Sequence, residues 1–297
     1  MEERRLEVFR AVARELNFTR AALGLHLSQS AVSQHIAALE LELGGPLFDR
    51  SGRRVRLTPA GAALLGRVDG VLAGLAEARR AVAAARGAVE GDLRVSASRT
   101  VGTYLMPGPL AVLGRRHPAL RLHVSIDNSE RVVAALLAGD ADIGYVEDEL
   151  DHPRIVLEPL LEDELVVVAA ASHRFARLPV VAPGELAAEP IVLREPGSGT
   201  RRVAEEHLLA AGVALQTLHV VAELAGIEAI KAAVEAQLGV SILSRASLVK
   251  ELALGSLVAR PLGSGPIRRR IAAATVAGAS ELPAARELTA LVAGRAG

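Results

Sequence analysis

The chain of 297 residues contains no cysteine. Disulfides, thiol redox sensing and cysteine-ligated metals are therefore excluded. Aromatic residues make up 2% of the sequence and hydrophobic residues 51%, so its cores must be mostly Ala, Val and Leu. Lysine is nearly missing: Lys231 and Lys250 are the only two, and arginine carries almost all of the positive charge. Arginine suits bidentate binding of phosphate and carboxylate. No apolar run approaches the roughly 18 residues that a membrane span requires. The opening MEERRLEVF has no apolar signal core, which sets the expectation of a cytoplasmic bacterial protein without a membrane partner. Charge of neither sign dominates: Lys+Arg and Asp+Glu are both 34. Net neutrality does not exclude a nucleic-acid binder, because the charge only has to be local. The eight histidines show no His-Glu-x-x-His pairing, and no metal or cofactor is expected. The length suffices for two or three compact units with cores of their own.

What is present begins at residues 19–43, TRAALGLHLSQSAVSQHIAALELEL. Leu16, Phe18, Ala21, Ala22 and Leu25 give a first short apolar face, with Thr19 as an N-cap. After the His26-Leu27 connection, Ser28 caps a longer helix over 29–43 that Gly44 stops. Val32, Ile36, Leu39 and Leu43 form its apolar stripe. The opposite face begins with Gln29, Ser30, Ser33 and Gln34. These side chains hydrogen-bond in both senses and sit in the turns that a recognition helix inserts into the major groove. The alternative is the solvated face of an ordinary amphipathic helix.

A turn signal at Ser51-Gly52 then separates Arg50 from Arg53, Arg54 and Arg56. The spacing predicts a short basic hairpin, a wing whose arginines hold phosphates or enter a narrow minor groove. A basic surface loop is the other reading. From Thr58-Pro59 a helical pattern runs to residue 86, with Gly61, Leu65, Val68, Leu72, Leu75, Arg79 and Val82 near a heptad seam. Such a stripe needs a partner. That partner is either the same helix of a second subunit, giving a homodimer with two recognition helices, or the chain's own domain.

Residues 6–61 resemble the N-terminal domain of LysR-type transcriptional regulators. The resemblance is carried by Phe9, Ala13, Asn17-Phe18-Thr19-Arg20-Ala21-Ala22, Leu25, Leu27-Ser28-Gln29, Val32-Ser33-Gln34, Ile36, Leu39-Glu40, Leu43-Gly44, Leu47-Phe48-Asp49-Arg50 and Arg56-Leu57-Thr58-Pro59-Ala60-Gly61. Ser30 departs from it, since the family more often has proline there. The resemblance implies double-stranded DNA as a partner, with Thr19, Ser28, Gln29, Ser30, Ser33, Gln34, Arg50, Arg53, Arg54 and Arg56 at the interface. It also implies a linker helix and a homotetramer; the residues themselves support only self-association. RNA polymerase is a further candidate partner.

From Leu93 the pattern becomes α/β. Strands are expected at 93–97, 120–126 and 143–146, with helices at 101–116, interrupted at Pro107, and 130–138. A second series follows: strands 164–171, 191–194, 218–223 and 240–243, with helices 201–211 and 227–236. Strand 268–276 and helix 284–293 are expected to return to the first half. Two lobes with two crossings resemble the periplasmic-binding-protein fold of LysR-type effector domains. The expected organisation is multidomain: an all-α winged helix-turn-helix at 1–58, a linker (dimerisation) helix at 59–87, and a two-lobed α/β effector domain at 88–297. Lobe I takes about 91–161 and 267–297, lobe II about 162–266.

Two strand-to-helix loops sit where such sheets bind ligands. Ser98-Arg99-Thr100 offers hydroxyls and free amides at a helix start, an anion site or simple capping. Arg194-Glu195-Pro196-Gly197-Ser198-Gly199-Thr200-Arg201 offers glycines, hydroxyls and flanking arginines. It can clamp a carboxylate or phosphate, or be a capped turn with surface arginines. It is neither a Walker A loop nor a nucleophile elbow. Glu147 and Glu223, each at a strand end, either face the cleft, where they can bind cationic or hydroxyl groups, or stand solvated at its rim.

Residues 98–107, 193–201, Glu228-Ala229-Ile230-Lys231 and Leu238-Gly239-Val240 resemble one LysR-type branch, that of Calvin-cycle operon regulators and related sulfur-assimilation regulators. The resemblance implies that Ser98, Thr100, Ser198 and Thr200 line an effector cleft. Ala225-Gly226-Ile227 departs from it, lacking the branch's usual hydroxyls. The expected function is a DNA-binding regulator whose promoter binding or bending responds to a small anionic metabolite closing two lobes. A solute receptor and an enzyme in the cleft are the alternatives; neither an export signal nor a reactive constellation supports them.

Overall fold

The structure is a computed structural model, and it describes residues 2–50, 55–86, 89, 91–147, 152–263 and 265–294. The chain forms two compact units, residues 1–82 with 137–140, and residues 83–136 with 141–297.

In the first unit, helices α1 (Glu3–Glu15), α2 (Phe18–Gly24) and α3 (Gln29–Leu43) precede a two-stranded ribbon, β1 (Phe48–Asp49) and β2 (Arg56–Leu57), and the long helix α4 (Pro59–Arg86). The cap of α2 is Asn17, whose side chain accepts from the Arg20 amide at 3.0 Å. Thr19 was expected there; Phe18 is already helical, so Thr19 lies exposed in the first turn. Ser28 caps α3 as expected, accepting from the Ala31 amide at 3.1 Å. His26, with φ 53°, takes the left-handed conformation that tightens the turn between α2 and α3.

Apolar stripes from α1, α2 and α3 meet in one core, including Phe9, Val12, Ala21, Val32, Ile36 and Leu39. Three of the chain's four phenylalanines serve this small unit: Phe48 lies 5.5 Å from Phe9 and 5.6 Å from Phe18, ring to ring. Leu43 is exposed, so the apolar stripe of α3 ends at Leu39. Val68 and Leu72 of α4 are buried in the same core, whereas Val71, Leu75 and Val82 are exposed. The heptad seam therefore divides: its first half packs on its own unit and its second half faces out. Gly61 lets the Leu47 carbonyl approach α4, since a side-chain methyl at that position would collide with it.

The second unit is α/β. Strands β3 (Gly91–Ser98), β4 (Leu120–Asp127) and β5 (Ile143–Glu147) are parallel, joined through α5 (Pro107–Arg116) and α6 (Ser129–Leu137). Between β3 and α5, residues Val101–Leu105 wind as one wide π-type turn. Strand β6 (Ile155–Ala170) follows, 16 residues long. It pairs antiparallel with β11 (Ile267–Val276), which lies beside β5, and with β9 (Ser241–Ser244) and β10 (Leu257–Arg260). A separate parallel pair, β7 (Pro190–Arg194) and β8 (His219–Leu224), completes the second lobe with α7 (Pro183–Ala187), α8 (Gly199–Ala210), α9 (Ile227–Glu235) and α10 (Val249–Leu254). Helix α11 (Pro283–Ala293) returns to α5 in the first lobe.

β6 and β11 are the two crossings, and each carries residues into the cores of both lobes. Leu165 and Ile267 are buried with Phe175 and Ile191, while Ile271 is buried with Leu93 and Tyr145. β6 begins at Ile155, nine residues before the expected start. The early part carries Pro159, paired with Ala272 where the register shifts, so that Leu160 is the extra residue of a β-bulge. Proline and a run of acids hid this half of the strand. Strand β10 and the short helices α7 and α10 were not expected at all.

Candidate functional site

Two surfaces gather the candidate residues, one in each unit. On α3, Gln29, Ser30 and Gln34 are exposed and Ser33 is half-buried. Gln29 Nε2 donates to Ser33 Oγ at 3.1 Å, and the hydroxyls of Ser28 and Ser30 lie 2.9 Å apart. The face opposite the buried Val32–Ile36–Leu39 stripe is thus a polar strip of linked donors and acceptors, able to meet base edges and phosphates. Arg50 and Arg56 flank the ribbon turn and are exposed. The Arg50 guanidinium stacks 4.4 Å above the Phe18 ring and reaches Glu40 at 3.6 Å, so part of its charge is already engaged. Arg53 and Arg54 lie outside the described residues.

In the second unit, β3, β5 and β7 end at one place, so the loops that follow them face each other. Glu147, the last residue of β5, is at their centre with 2% of its surface exposed. Ser98 Oγ donates to its Oε1 at 3.0 Å and Thr200 Oγ1 to its Oε2 at 3.1 Å. Arg269 Nη1 donates to Oε2 at 2.7 Å, and Arg269 lies 3.3 Å from the Thr100 hydroxyl. Burial alone pushes the Glu147 carboxyl up. The Arg269 guanidinium, the hydroxyls of Thr100 and Ser98, and the nearby Arg194 outweigh that and hold it below the usual carboxylate range. Gly199 at the start of α8 makes this fit possible; a methyl there would stand 2.8 Å from the Glu147 carbonyl.

Glu147 is therefore neither a solvated rim residue nor a free acid for a cation. It is a buried carboxylate enclosed by donors from both lobes. Ser198 does not touch it; its hydroxyl caps α8. Arg269 also binds Asp163, Nε to Oδ2 at 2.7 Å, so one guanidinium serves two buried acids. Burial lowers the Arg269 pKa, but Glu147 and Asp163 more than compensate and raise it.

The expected arginine clamp is already paired. Arg99 reaches Glu195 at 3.1 Å and Asp127 at 3.3 Å. Arg201 is held by Glu205 at 2.7 Å, by Glu223 at 2.8 Å and by the Arg194 carbonyl at 3.0 Å. This accounts for Glu223, which stands half-exposed beside Arg201 and not at the Glu147 cluster. Arg194 is different. It is 3% exposed and pairs with Glu195 through Nε and Nη2, but its buried Nη1 has no hydrogen-bond partner. Gly197, with φ +81°, lines a cavity of about 470 Å³ with Ser129, Glu130, Ser198, Arg201 and Glu205, at the outer edge of the same loop.

A larger cavity of about 600 Å³ is lined by Glu162, Asp163, Glu164 and Arg268 of the crossing strands and by the loop around Pro261 and Pro266. Its charged side chains are already paired, Arg268 with Glu162 at 2.5 Å, Glu164 with Arg245 at 2.6 Å and Asp163 with Arg269, and among the described residues no hydroxyls converge on it as they do on Glu147. Among the described residues no group of three or more acids and histidines is placed to hold a metal. No described helix is long and apolar enough to cross a membrane. Sequence reasoning missed Arg269 and Asp163, and it named Glu195 in the loop without its role as the partner of Arg194 and Arg99. The signal was there in part: Arg268-Arg269-Arg270 faces Glu162-Asp163-Glu164 across the β6–β11 ladder, but only the register shows which pair turns inward.

The helix-turn-helix unit and the two-lobed unit each have counterparts among known proteins. Residues 4–62 match the family described as bacterial regulatory helix-turn-helix protein, lysR family, and residues 86–297 match the LysR substrate binding domain. The HTH-type transcriptional regulator YeiE of Escherichia coli K12 is 40% identical over 261 residues, 87% of this chain and 86% of that protein. CbbR of Rhodospirillum rubrum is 35% identical over 266 residues, 90% of this chain and 87% of the relative. CysL of Bacillus subtilis is 35% identical over 247 residues, 83% and 82%. Among solved structures, full-length OxyR of Pseudomonas aeruginosa is 26% identical with a TM-score of 0.62, covering 98% of this chain and 99% of that one. The regulatory domain of Synechocystis CcmR, solved in complex with 2-PG, is 28% identical with a TM-score of 0.63, covering 69% of this chain and 97% of that one. The chain belongs to the LysR family of transcriptional regulators, with the helix-turn-helix domain at its N-terminal end and the two-lobed substrate-binding domain after it.

Proposed function

We propose that this regulator binds promoter DNA through the α3 face and the ribbon arginines, under control of a small anionic metabolite held between the two lobes. One observation carries the effector reading: hydroxyls and a guanidinium from both lobes converge on a single buried carboxylate, that of Glu147. A seat built to hold a carboxylate of the chain's own fits the carboxylate or phosphate of a metabolite, which takes that place when Glu147 leaves it. The unpartnered Nη1 of Arg194 offers one more donor. Ser98, Thr100 and Thr200 contact the ligand; Ser198, Gly197 and Gly199 shape the loop; Arg99 and Arg201 keep the loop in place through their ion pairs. The complex of CcmR with 2-PG supports a small effector for a domain of this kind.

Chains associate through the exposed Val71, Leu75 and Val82 of α4, so that two recognition helices meet two half-sites. Tetramer formation would let ligand-driven lobe movement change the bend of the bound DNA. The protein works in the cytoplasm, where RNA polymerase is within reach of a promoter-bound regulator.

The test is a thermal-shift panel of phosphorylated sugars, sulfur oxyanions and carboxylates on the full-length protein, followed by DNA binding with each stabilising compound. An anion that raises the melting temperature and alters the footprint supports the reading. Stabilisation by cationic compounds alone contradicts it.

A further inference from the structure

Tyr104 belongs to the π-type turn of the first lobe, yet its ring packs against the second lobe's core of Val166, Ile230 and Leu248. Its hydroxyl donates to Glu228 Oε1, in the first turn of α9, at 2.6 Å. Burial pushes this hydroxyl's pKa up and the bond to Glu228 adds to the shift, so it stays protonated and able to donate. Lys231 Nζ meets the same Glu228 oxygen at 2.8 Å and lies 5.3 Å from the centre of the Tyr104 ring. Lys231 is 3% exposed. A buried amine is costly to keep charged, and this one keeps its proton because Glu228 and Glu251, the latter at 2.7 Å, outweigh the burial.

The amine does not end there. Lys231 Nζ donates to the Ser247 carbonyl at 3.1 Å, Ser247 Oγ to the Ser244 carbonyl at 2.7 Å, and Ser244 Oγ to Asp163 Oδ1 at 2.7 Å. Asp163 holds Arg269, and Arg269 holds Glu147. Ser244 and Ser247 are each 2% exposed. One chain of hydrogen bonds therefore runs from the Glu147 seat, along the crossing strands and through the second lobe, to a residue of the first lobe four positions after Thr100.

We infer that Tyr104, Glu228 and Lys231 form a latch that holds the two lobes together without any ligand, bonded to the Glu147 seat through Ser247, Ser244 and Asp163. The latch is separate from the seat's own contacts and does not depend on which ligand the seat takes. Its energetic unit is one hydrogen bond with a charged acceptor, and removing it should raise the open population roughly ten- to 150-fold. The serines and Asp163 act by position: losing Ser244 Oγ removes the bond that ties the Ser244–Ser247 segment to Asp163 and slackens the latch from behind.

The absence of cysteine gives a clean test. Ala119→Cys in the first lobe and Ala210→Cys in the second, both exposed, take spin labels on the full-length chain, diluted with unlabelled chain so that pulsed EPR reads the distance within one molecule. The parent pair should give one narrow distance without ligand. Tyr104→Phe, which keeps the ring, and Glu228→Gln should each add a longer population, and Ser244→Ala a smaller one. A broad distance in the parent, or variants indistinguishable from it, overturns the latch. Opening in Tyr104→Phe with Ser244→Ala unchanged overturns its connection to the seat. Glu228 is 67% exposed at its side chain, so Glu228→Gln remains informative if Tyr104→Phe fails to fold. The anion panel reads the effector proposal separately, so the two can fail independently.

Discussion

Arg269 Nη1 lies 2.7 Å from Glu147 Oε2, and both side chains are sealed from water. The strand that carries Arg269 crosses from one lobe to the other, while Glu147 ends a strand of the first lobe. This pair therefore joins the Glu147 cluster to the crossing strands. Its environment decides its energetics: removing one partner of a buried pair leaves a charge that nothing solvates.

Arg269→Met should cost about 3–5 kcal/mol of unfolding free energy, because it strands both Glu147 and Asp163. Chemical denaturation checks it. The triple variant Arg269→Met, Glu147→Gln, Asp163→Asn should recover most of the loss, since it removes the charges together. Equal losses in the single and triple variants would show that shape, and not charge, dominates this site.

The pH dependence follows from the direction of the Glu147 shift. Its folded carboxyl titrates below its ordinary 4.5, so the unfolded chain takes up this proton first on acidification. The stability it contributes is complete above that ordinary value and is lost as pH falls through the lowered one. Glu147→Gln should flatten the acid limb of the melting-temperature profile below about pH 4.5 relative to wild type. An unchanged acid limb in the variant would place the acid sensitivity elsewhere.

Gly61 is fixed by the Leu47 carbonyl, not by a turn. Gly61→Ala should destabilise the DNA-binding unit by roughly 1–3 kcal/mol, the usual range for forcing a methyl into filled space. The expected result is a lower-temperature melting transition and loss of DNA binding on warming, with the effector unit's transition unmoved. Thermal unfolding followed by circular dichroism and by DNA retention separates the two.

The divided seam of α4 makes a prediction about association. Leu75→Glu with Val82→Glu places charge on two exposed apolar positions and leaves the buried Val68 and Leu72 untouched. Sedimentation should show dissociation at concentrations where the wild type is associated. The loss of apolar contact, about 1.5–3 kcal/mol per buried side chain, is enough to move the association constant by tenfold or more. A parallel variant at Val68 should instead unfold the first unit.

The sequence made the helix-turn-helix legible almost residue by residue, because its signals are local: Ser28 and Gly44 bracket α3, and Val32, Ile36 and Leu39 mark the inward face. It misassigned the cap at Thr19, where Asn17 one residue ahead of the helix has the better reach. In the effector unit the two loops stand out by their hydroxyls and glycines, and Glu147 as a strand-end acid that either faces the cleft or stands at its rim. Its partner Arg269 looks like one of three consecutive arginines. Which of three neighbouring charges points inward depends on the pairing of β11 with β6, some 105 residues apart in sequence. Long-range register of that kind leaves no local mark. The pairing of Tyr104 with Glu228 leaves no local mark either, since the two stand 124 positions apart.

The central claim is that the exposed face of α3 reads DNA sequence. Fluorescence anisotropy measures it directly, with the DNA beside the chain's own gene and a scrambled duplex of equal length, each titrated over a range of salt. Wild type should favour the gene-proximal DNA, and log affinity should fall linearly with log salt. The Gln29→Ala, Gln34→Ala double variant should lose the preference between duplexes while keeping the salt slope, because base-edge contacts are removed and phosphate contacts are not. A double variant that keeps the full preference would contradict the assignment of α3 as the reading surface.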